Sequence, residues 1–354
     1  MFVQIGPYPV GPIGLGLMRL TSGGDFVPDE EAFKLIKAAI DNSKADRVLL
    51  NSGAFYGPRD DAYANLKLLR RFFAVHPELK DKVVVNVKGG AVMSEFIKQG
   101  YAGFRSLATV ENLREDLQAI RRELGSDEGG IDVHVYEPAR RDVNVSVEDT
   151  VKNLHTLQRE GLFQHIALSE VGAETIDTAA RTAKELGTQI VSVEVEYSPF
   201  YTEIEDNDVL QACTKHSIPI LVYIGRGFLG GQLKSRSQLE ANDPRLHQEQ
   251  FSEENFPNNV KVADTFAQLA TSFNPPITPA QLALAWLVKQ GSGKAAIVPI
   301  PGSTKASRAE ENFGANGVKL DGADFERLST QIETLKVHGG RFNAHARAAM
   351  PLFG

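Results

Sequence analysis

Cysteine is almost absent from this chain, whose 354 residues include only Cys213. One cysteine cannot form a disulfide within the chain, and no basic N-terminal stretch leads into an apolar run, so nothing in the sequence indicates secretion. No unbroken apolar segment approaches the ~18 residues that a membrane helix requires. We therefore expect a cytoplasmic protein without a membrane partner.

An excess of basic charge is also lacking. Lysine and arginine number 38 against 45 acidic residues, which gives a net charge of −7. Such a chain has no positive field to hold a polynucleotide, and its histidines show no spacing typical of metal ligands, so we expect neither nucleic acid nor metal. The 42% hydrophobic and 23% charged residues are typical of a globular protein.

Eight short apolar runs, rich in β-branched residues, are typical of buried parallel strands. They lie at 13–17, 46–51, 82–88, 131–136, 165–169, 190–197, 218–224 and 295–300. Helical periodicity follows at 29–43, 61–76, 110–125, 147–161, 173–187, 206–217 and 278–291. The length alone allows two domains or one large barrel. The repeated alternation favours one domain over 1–354, a single (β/α)₈ TIM barrel.

Three segments lie outside this repeat. Residues 1–11 alternate around Gly6-Pro7 and predict a hairpin that closes the bottom of the barrel. The polar stretch 232–259 and the tail 337–354 are predicted to be long segments on the C-terminal face of the barrel. Such segments cap the active face, so we expect these two to determine substrate choice.

Catalytic groups of a TIM barrel lie at the carboxyl ends of its strands. Here those positions include Tyr56 after the second predicted strand and Lys88 at the end of the third. A phenol donates a proton at neutral pH only when a neighbouring cation stabilises its phenolate, and a lysine supplies that cation. The pair therefore points to proton transfer.

One motif has a second interpretation. Residues 225–230, GRGFLG, match the dinucleotide-binding G-x-G-x-x-G pattern directly after a strand. The match falls at the seventh strand of an eightfold pattern and precedes a polar segment, whereas such a fingerprint normally opens a βαβ unit. We therefore favour a barrel loop over a Rossmann fold.

The order of motifs resembles the aldo-keto reductase superfamily over nearly the whole chain. The resemblance is carried by IGLGLMRL, LNSGAFYG, VNVKGG, ALSEV, VEVEYS, GRGFL and IVPIPGSTKASRAEEN. Within the superfamily, LNSGAFYG, VEVEYS, the eighth-strand motif and the late GGRFN are similar to the fungal pyridoxal reductase branch. The resemblance implies NADPH-dependent reduction of a small-molecule aldehyde or ketone in a (β/α)₈ barrel, without a metal.

The resemblance also assigns roles to residues. Tyr56 would be the proton donor, Lys88 would lower its pKa, and Tyr197 would stack on the nicotinamide. Further cofactor contacts are implied for Met18, Ser169, Glu170, Glu194, Gly225, Arg226, Gly302, Ser303, Lys305, Arg308, Glu311 and Asn312. Among these, Ser169 and Glu170 would lie at the carboxamide. Ser303, Lys305 and Arg308 would bind the 2′-phosphate, which also suits a helix start that presents amides and cations.

Two positions depart from the family pattern. Asn51 replaces the usual aspartate five residues before the tyrosine, and Glu137 replaces a histidine. We expect Asn51 to orient Lys88 without supplying an anionic partner, so that Lys88 loses its proton more readily. Glu137, if protonated, would donate a hydrogen bond to the carbonyl. His134 is an alternative replacement for the histidine, although strand alternation places it on the opposite face.

Two other functions remain open from the sequence. The barrel would keep its cofactor and act as an isomerase, dehydratase or epimerase with ionised Glu137 as general base. Alternatively, it would be a non-enzymatic NADPH-binding barrel, like the channel subunits that share this fold. We expect a monomer or a weak oligomer.

Overall fold

The computed structural model describes residues 2–22, 26–224, 233–239 and 243–341. Within these residues, eight parallel strands form one sheet in chain order. They are β3 (Leu15–Gly16), β4 (Val48–Gly53), β5 (Val83–Gly89), β6 (Val135–Pro138), β7 (His165–Ser169), β8 (Ile190–Glu196), β9 (Ile220–Tyr223) and β10 (Ile297–Pro299). The amides of Gly14 and Gly16 donate to Pro299 O (2.9 Å) and Pro301 O (3.2 Å), which joins the first strand to the last. The predicted barrel is confirmed.

Helices surround this sheet. They are α1 (Asp29–Asp41), α2 (Ala64–Val75), α3 (Met93–Gln99), α4 (Val110–Leu124), α5 (Val147–Arg159), α6 (Ala173–Glu185), α7 (Val209–Lys215), α8 (Phe256–Thr271), α9 (Pro279–Gln290), α10 (Ala306–Gly314) and α11 (Gly322–Thr334). Helix α9 begins with a capping box: the Thr278 side chain accepts from Gln281 N, and the Gln281 side chain accepts from Thr278 N. No helix in the described ranges is long and apolar enough to span a membrane.

The sequence predictions did not include α3, α8 and α11, whereas the helix start expected in the eighth-strand motif is present as α10. The expected loop 232–259 is wrong at its end, because α8 begins at Phe256. This helix has Pro257 in its first turn, a position where a proline costs no intrahelical hydrogen bond. Within its described parts, the segment before α8 contains short 3₁₀ turns such as Arg236–Gln238.

The barrel strands bury their two faces in different cores. The outward residues pack against the helices, as Leu50, Val85 and Val222 do. The inward residues at the bottom form a smaller core, whose strand members are Leu49, Val84, Val135, Ala167, Val191, Leu221 and Val298. The antiparallel hairpin of β1 (Val3–Ile5) and β2 (Tyr8–Val10) packs on this inner core through Val3, Ile5 and Val10. The hairpin therefore closes the bottom of the barrel, and chemistry is left to the opposite end.

Strand β8 contains a bulge that changes which side chains face the lumen. Ile190 pairs with Ile166, but Val193 pairs with Leu168, so β8 has one more residue than β7 between these points. Val191, before the bulge, lies in the inner core. Val193 and Val195, beyond it, lie in the outer core, where regular alternation from Val191 would not have placed them. Beyond the bulge, inward-facing positions fall at Glu194 and Glu196.

Candidate active site

Lys88, the last residue but one of β5, lies at the centre of a buried polar cluster. Its Nζ donates to Asn51 Oδ1 over 3.2 Å and lies 3.0 Å from Glu137 Oε1. It also forms an ion pair with Glu194, whose Oε2 accepts a hydrogen bond of 2.6 Å from Asn51 Nδ2. All four residues are at most 6% exposed. Strands β4, β5, β6 and β8 thus direct one residue each to the same point.

The cluster corrects one expectation. Asn51 does orient Lys88, as predicted, but the prediction that Lys88 lacks an anionic partner is wrong. Burial disfavours the ammonium, yet the charges of Glu137 and Glu194 outweigh that cost and hold the pKa of Lys88 well above its ordinary value. Lys88 is therefore a firmly held cation.

Glu137 is fully buried at the end of β6, in register with Lys88. Burial raises the pKa of its carboxyl to about 8, because the charge of Lys88 compensates only in part and that of Glu194 adds to the rise. Its oxygens contact these neighbours without meeting hydrogen-bond geometry among the described residues. The carboxyl therefore keeps its proton to a higher pH than an ordinary glutamate, and in the protonated form it can donate a hydrogen bond.

Tyr56 follows β4 and packs beside the cluster. Its ring lies against Gly53, where an added Cβ would be 3.1 Å from the ring carbons, and Gly53 pairs with Lys88 in the sheet. The absence of a side chain at Gly53 therefore allows the ring to approach the lysine. The phenol is close enough for its charge to act on the pKa of Lys88. The Thr21 hydroxyl fixes the loop by donating to Tyr56 O.

His134 lies away from this cluster. Its Nδ1 accepts a hydrogen bond of 3.2 Å from Val85 N, and its ring packs edge-on against Tyr8 of the bottom hairpin at 5.4 Å. Burial lowers the pKa of the imidazole to about 4, so it is neutral at physiological pH. Of the two candidates for the family's histidine position, the structure brings Glu137 to Lys88 and leaves His134 at the other end of the barrel.

A second buried ion cluster lies above the first, at the mouth of the barrel. Arg341 donates to Glu170 through two bonds of 2.7 and 2.9 Å, and its Nε lies 2.6 Å from Glu196 Oε2. Tyr223 donates to Glu170 as well, and its ring lies below the guanidinium, 5.4 Å away. Despite burial, the charge of Arg341 lowers the pKa of Glu170 to about 2. The sequence predictions included neither Arg341 nor Tyr223.

The segment that carries Arg341 is fastened to the start of α8. The amide of His338 donates to Asn259 Oδ1 over 2.9 Å, and that of Gly340 donates to Glu249 Oε2 over the same distance. Asn259 Nδ2 donates in return to His338 O. The described part of the tail and that of the 232–259 segment therefore meet over the mouth, where both were expected.

The residues expected at the nicotinamide differ in their surroundings. Ser169 is buried, and its hydroxyl has no hydrogen-bond partner within the described residues, so it can bind a carboxamide. Glu170 is held by Arg341. Tyr197 is fully buried, donates to Glu205 and packs against Trp286 at 5.4 Å. Stacking of Tyr197 on a ligand requires a free ring face, and it stays a prediction.

The expected phosphate site lies at the start of α10, beside the end of β10. Lys305 is the N-cap residue but makes no side-chain capping bond, while the Ser303 hydroxyl accepts from Lys305 N over 3.1 Å. Arg308 forms an ion pair of 2.5 Å with Glu311. A cavity of about 560 Å³ adjoins Lys305 and is bounded opposite by 26–28 and Glu31. An uncapped helix start with two cations suits a phosphate, so these residues fit the expected cofactor.

The remaining expected cofactor residues are more scattered. Met18 is 43% exposed on the turn after β3, Gly302 bridges to Gly16, and Asn312 is buried in α10. Gly225 and Arg226 lie outside the described residues.

Comparison with known proteins agrees with this geometry. A sequence model described as the aldo/keto reductase family matches residues 12–333. The chain belongs to this family. It is 31% identical over 351 residues to "Probable pyridoxal reductase 2" of Schizosaccharomyces pombe, covering 98% of both chains. It is 36% identical over 218 residues to the same organism's aldo-keto reductase yakc, named with NADP(+), covering 60% of this chain and 61% of that one.

Solved structures show the same fold. The glycerol dehydrogenase of Gluconobacter oxydans superposes with a TM-score of 0.76 at 18% identity and covers 96% of this chain and 97% of its own. As a member of the aldo/keto reductase family, the chain is an oxidoreductase that acts on carbonyl and alcohol groups of small molecules with a nicotinamide cofactor.

Proposed function

We propose that the chain reduces an aldehyde or ketone with NADPH, and that Tyr56 donates the proton. The observation that carries this proposal is the buried Lys88 ammonium beside the Tyr56 phenol. When bound, NADPH supplies the hydride that reduces the carbonyl carbon. Ser303, Lys305 and Arg308 would hold its 2′-phosphate, and Ser169 would bind its carboxamide.

Proton transfer follows from the contacts of Tyr56. As negative charge develops on the carbonyl oxygen, the phenol gives up its proton, and the adjacent Lys88 ammonium stabilises the phenolate. A protonated Glu137 donates a hydrogen bond to the same oxygen and withdraws charge from it. Both groups are buried at the carboxyl ends of the strands, where such interactions are stronger than in water.

The relatives favour a reductase over the alternative enzyme, because one that spans nearly the whole chain is named a pyridoxal reductase and another is named an aldo-keto reductase. The raised pKa of Glu137 suits hydrogen-bond donation by the protonated carboxyl in a reductase. It would equally suit a general base, so the raised pKa does not separate the two functions.

Pyridoxal, reduced to pyridoxine, is the substrate that the relatives suggest. The test follows NADPH consumption with pyridoxal and a panel of aromatic aldehydes, for the wild type and for Tyr56→Phe. We expect the variant to lose at least ~100-fold in kcat while it still binds NADPH.

The matched control is Tyr8→Phe, which removes a hydroxyl from the bottom hairpin and leaves the lumen unchanged. Its kcat should equal that of the wild type. No turnover of any carbonyl by a wild-type protein that binds NADPH would refute the proposal, as would full activity of Tyr56→Phe.

A further inference from the structure

Asn51 and Glu194 form a complementary pair across the barrel lumen. The Asn51 amide uses both ends: Oδ1 accepts from Lys88 Nζ over 3.2 Å, and Nδ2 donates to Glu194 Oε2 over 2.6 Å. Glu194 in turn forms an ion pair with Lys88. The three groups close a triangle in which every contact has the correct polarity.

The chemistry of this triangle requires one amide and one carboxylate. A carboxylate at position 51 would only accept hydrogen bonds, so it would face Glu194 with like charge at the 2.6 Å contact. An amide at position 194 beside Asn51 would leave Lys88 without this anion. The neutral residue at position 51 and the charged residue at position 194 are therefore matched to each other.

We propose that Glu194 is the positioning residue that holds the Lys88 ammonium against Tyr56, a role that the neutral Asn51 cannot fill by charge. The inference rests on the proposed reductase function. The negative charge beside Lys88 and Asn51 lies on β8, where the bulge turns Glu194 into the lumen. Asn51 then serves as a neutral bridge.

Three titratable groups face Lys88 from the surrounding elements: Tyr56 after β4, Glu137 on β6 and Glu194 on β8. Of the two carboxyl groups, Glu194 contacts both Lys88 and Asn51, so it is the anion that fixes the position of the ammonium. Loss of that charge makes the ammonium easier to deprotonate and Glu137 easier to ionise. Both changes weaken proton donation at alkaline pH.

A double-variant cycle tests the pair. Glu194→Gln should lower kcat by about 100-fold, with a smaller effect on KM, and move the alkaline limb of the kcat profile to lower pH. Asn51→Asp should also lower kcat because it opposes two carboxylates. The combined variant, Asn51→Asp with Glu194→Gln, should return kcat to within about tenfold of the wild type. If the kcat of the combined variant is no higher than that of the less active single variant, the proposal is overturned.

Glu196→Gln is the matched control, since it removes a buried carboxylate from the same strand that contacts Arg341 instead of Lys88. It should leave the alkaline limb in place. If the alkaline limb of the kcat profile does not move in Glu194→Gln, the role of Glu194 is merely structural and the proposal is overturned. The free energy of unfolding in urea, measured for the wild type and the three variants of the cycle, separates this inference from the proposed reductase function. If the wild type reduces no carbonyl, the proposed function fails, whereas additive losses of stability would refute the pair itself.

Discussion

Arg341 fastens the tail to the barrel mouth, and its replacement by methionine should be costly. The change leaves Glu170 and Glu196, 1% and 2% exposed, without their guanidinium. In the folded protein the pKa of Glu170 is about 2 instead of 4.5, because Arg341, with smaller contributions from Arg140 and Tyr223, outweighs the cost of burial. At about 1.4 kcal/mol per pKa unit, this amounts to about 3 kcal/mol of stability, within the range found when one partner of a buried ion pair is removed.

Urea unfolding at neutral pH measures this loss as a lower midpoint at an unchanged slope. The effect should also depend on pH with a definite sign. Because the pKa of Glu170 is lowered in the folded protein, its contribution is present above about pH 4.5 and disappears as the pH falls through about 2. The difference between wild type and variant should therefore shrink in acid.

A surface pair of the same geometry provides the control. Arg71 binds Asp29 through bonds of 2.6 and 2.7 Å, but both side chains are more than 40% exposed. Arg71→Met should cost less than about 1 kcal/mol. If Arg341→Met costs no more than this control, the pair does not hold the tail, and the backbone bonds to α8 are sufficient. Adding Glu170→Gln to Arg341→Met should restore part of the loss.

Two further predictions concern the cofactor and Glu137. Lys305→Ala and Arg308→Ala should each weaken NADPH binding by tenfold or more, roughly the value of a charge-assisted hydrogen bond, and leave NADH nearly unchanged. Titration calorimetry measures the affinities for NADPH and NADH. Equal losses of the two affinities would mean that the 2′-phosphate is bound elsewhere. The raised pKa of Glu137 gives stability that is fully present below about pH 4.5 and lost as the pH rises through about 8. Glu137→Gln should therefore gain stability relative to the wild type as the pH rises from about 4.5 to about 8 in urea unfolding, and a constant difference over that range would contradict this.

The barrel was predictable because its signal is local. Each buried strand is a short β-branched run, and helix ends such as Thr278 and Gly291 are marked by their own residues. Tyr56 and Lys88 were found for the same reason, since strand ends converge in any closed parallel barrel. These inferences need no knowledge of which strands are neighbours.

What the sequence did not predict depends on pairing between distant residues. Alternation within β8 cannot show that Glu194 faces Lys88, because the bulge arises where β8 pairs with β7. The bond between Arg341 and Glu170 joins residues 171 positions apart, and no periodicity reports such a contact. The anionic partner of Lys88 was not predicted because it is Glu194 on β8, whereas the family pattern directs attention to position 51 on β4.

The bulge in β8 also bears on how such a barrel can change. With every residue kept, regular alternation from Val191 would bring Val193 and Val195 into the lumen and turn Glu194 and Glu196 towards the helices. The extra residue reverses that phase, and its deletion together with the bulge would restore regular alternation with both glutamates still facing inward. A deletion at this point is therefore compatible with the charged interior, whereas an added residue beyond the bulge would exchange that interior for an aliphatic one.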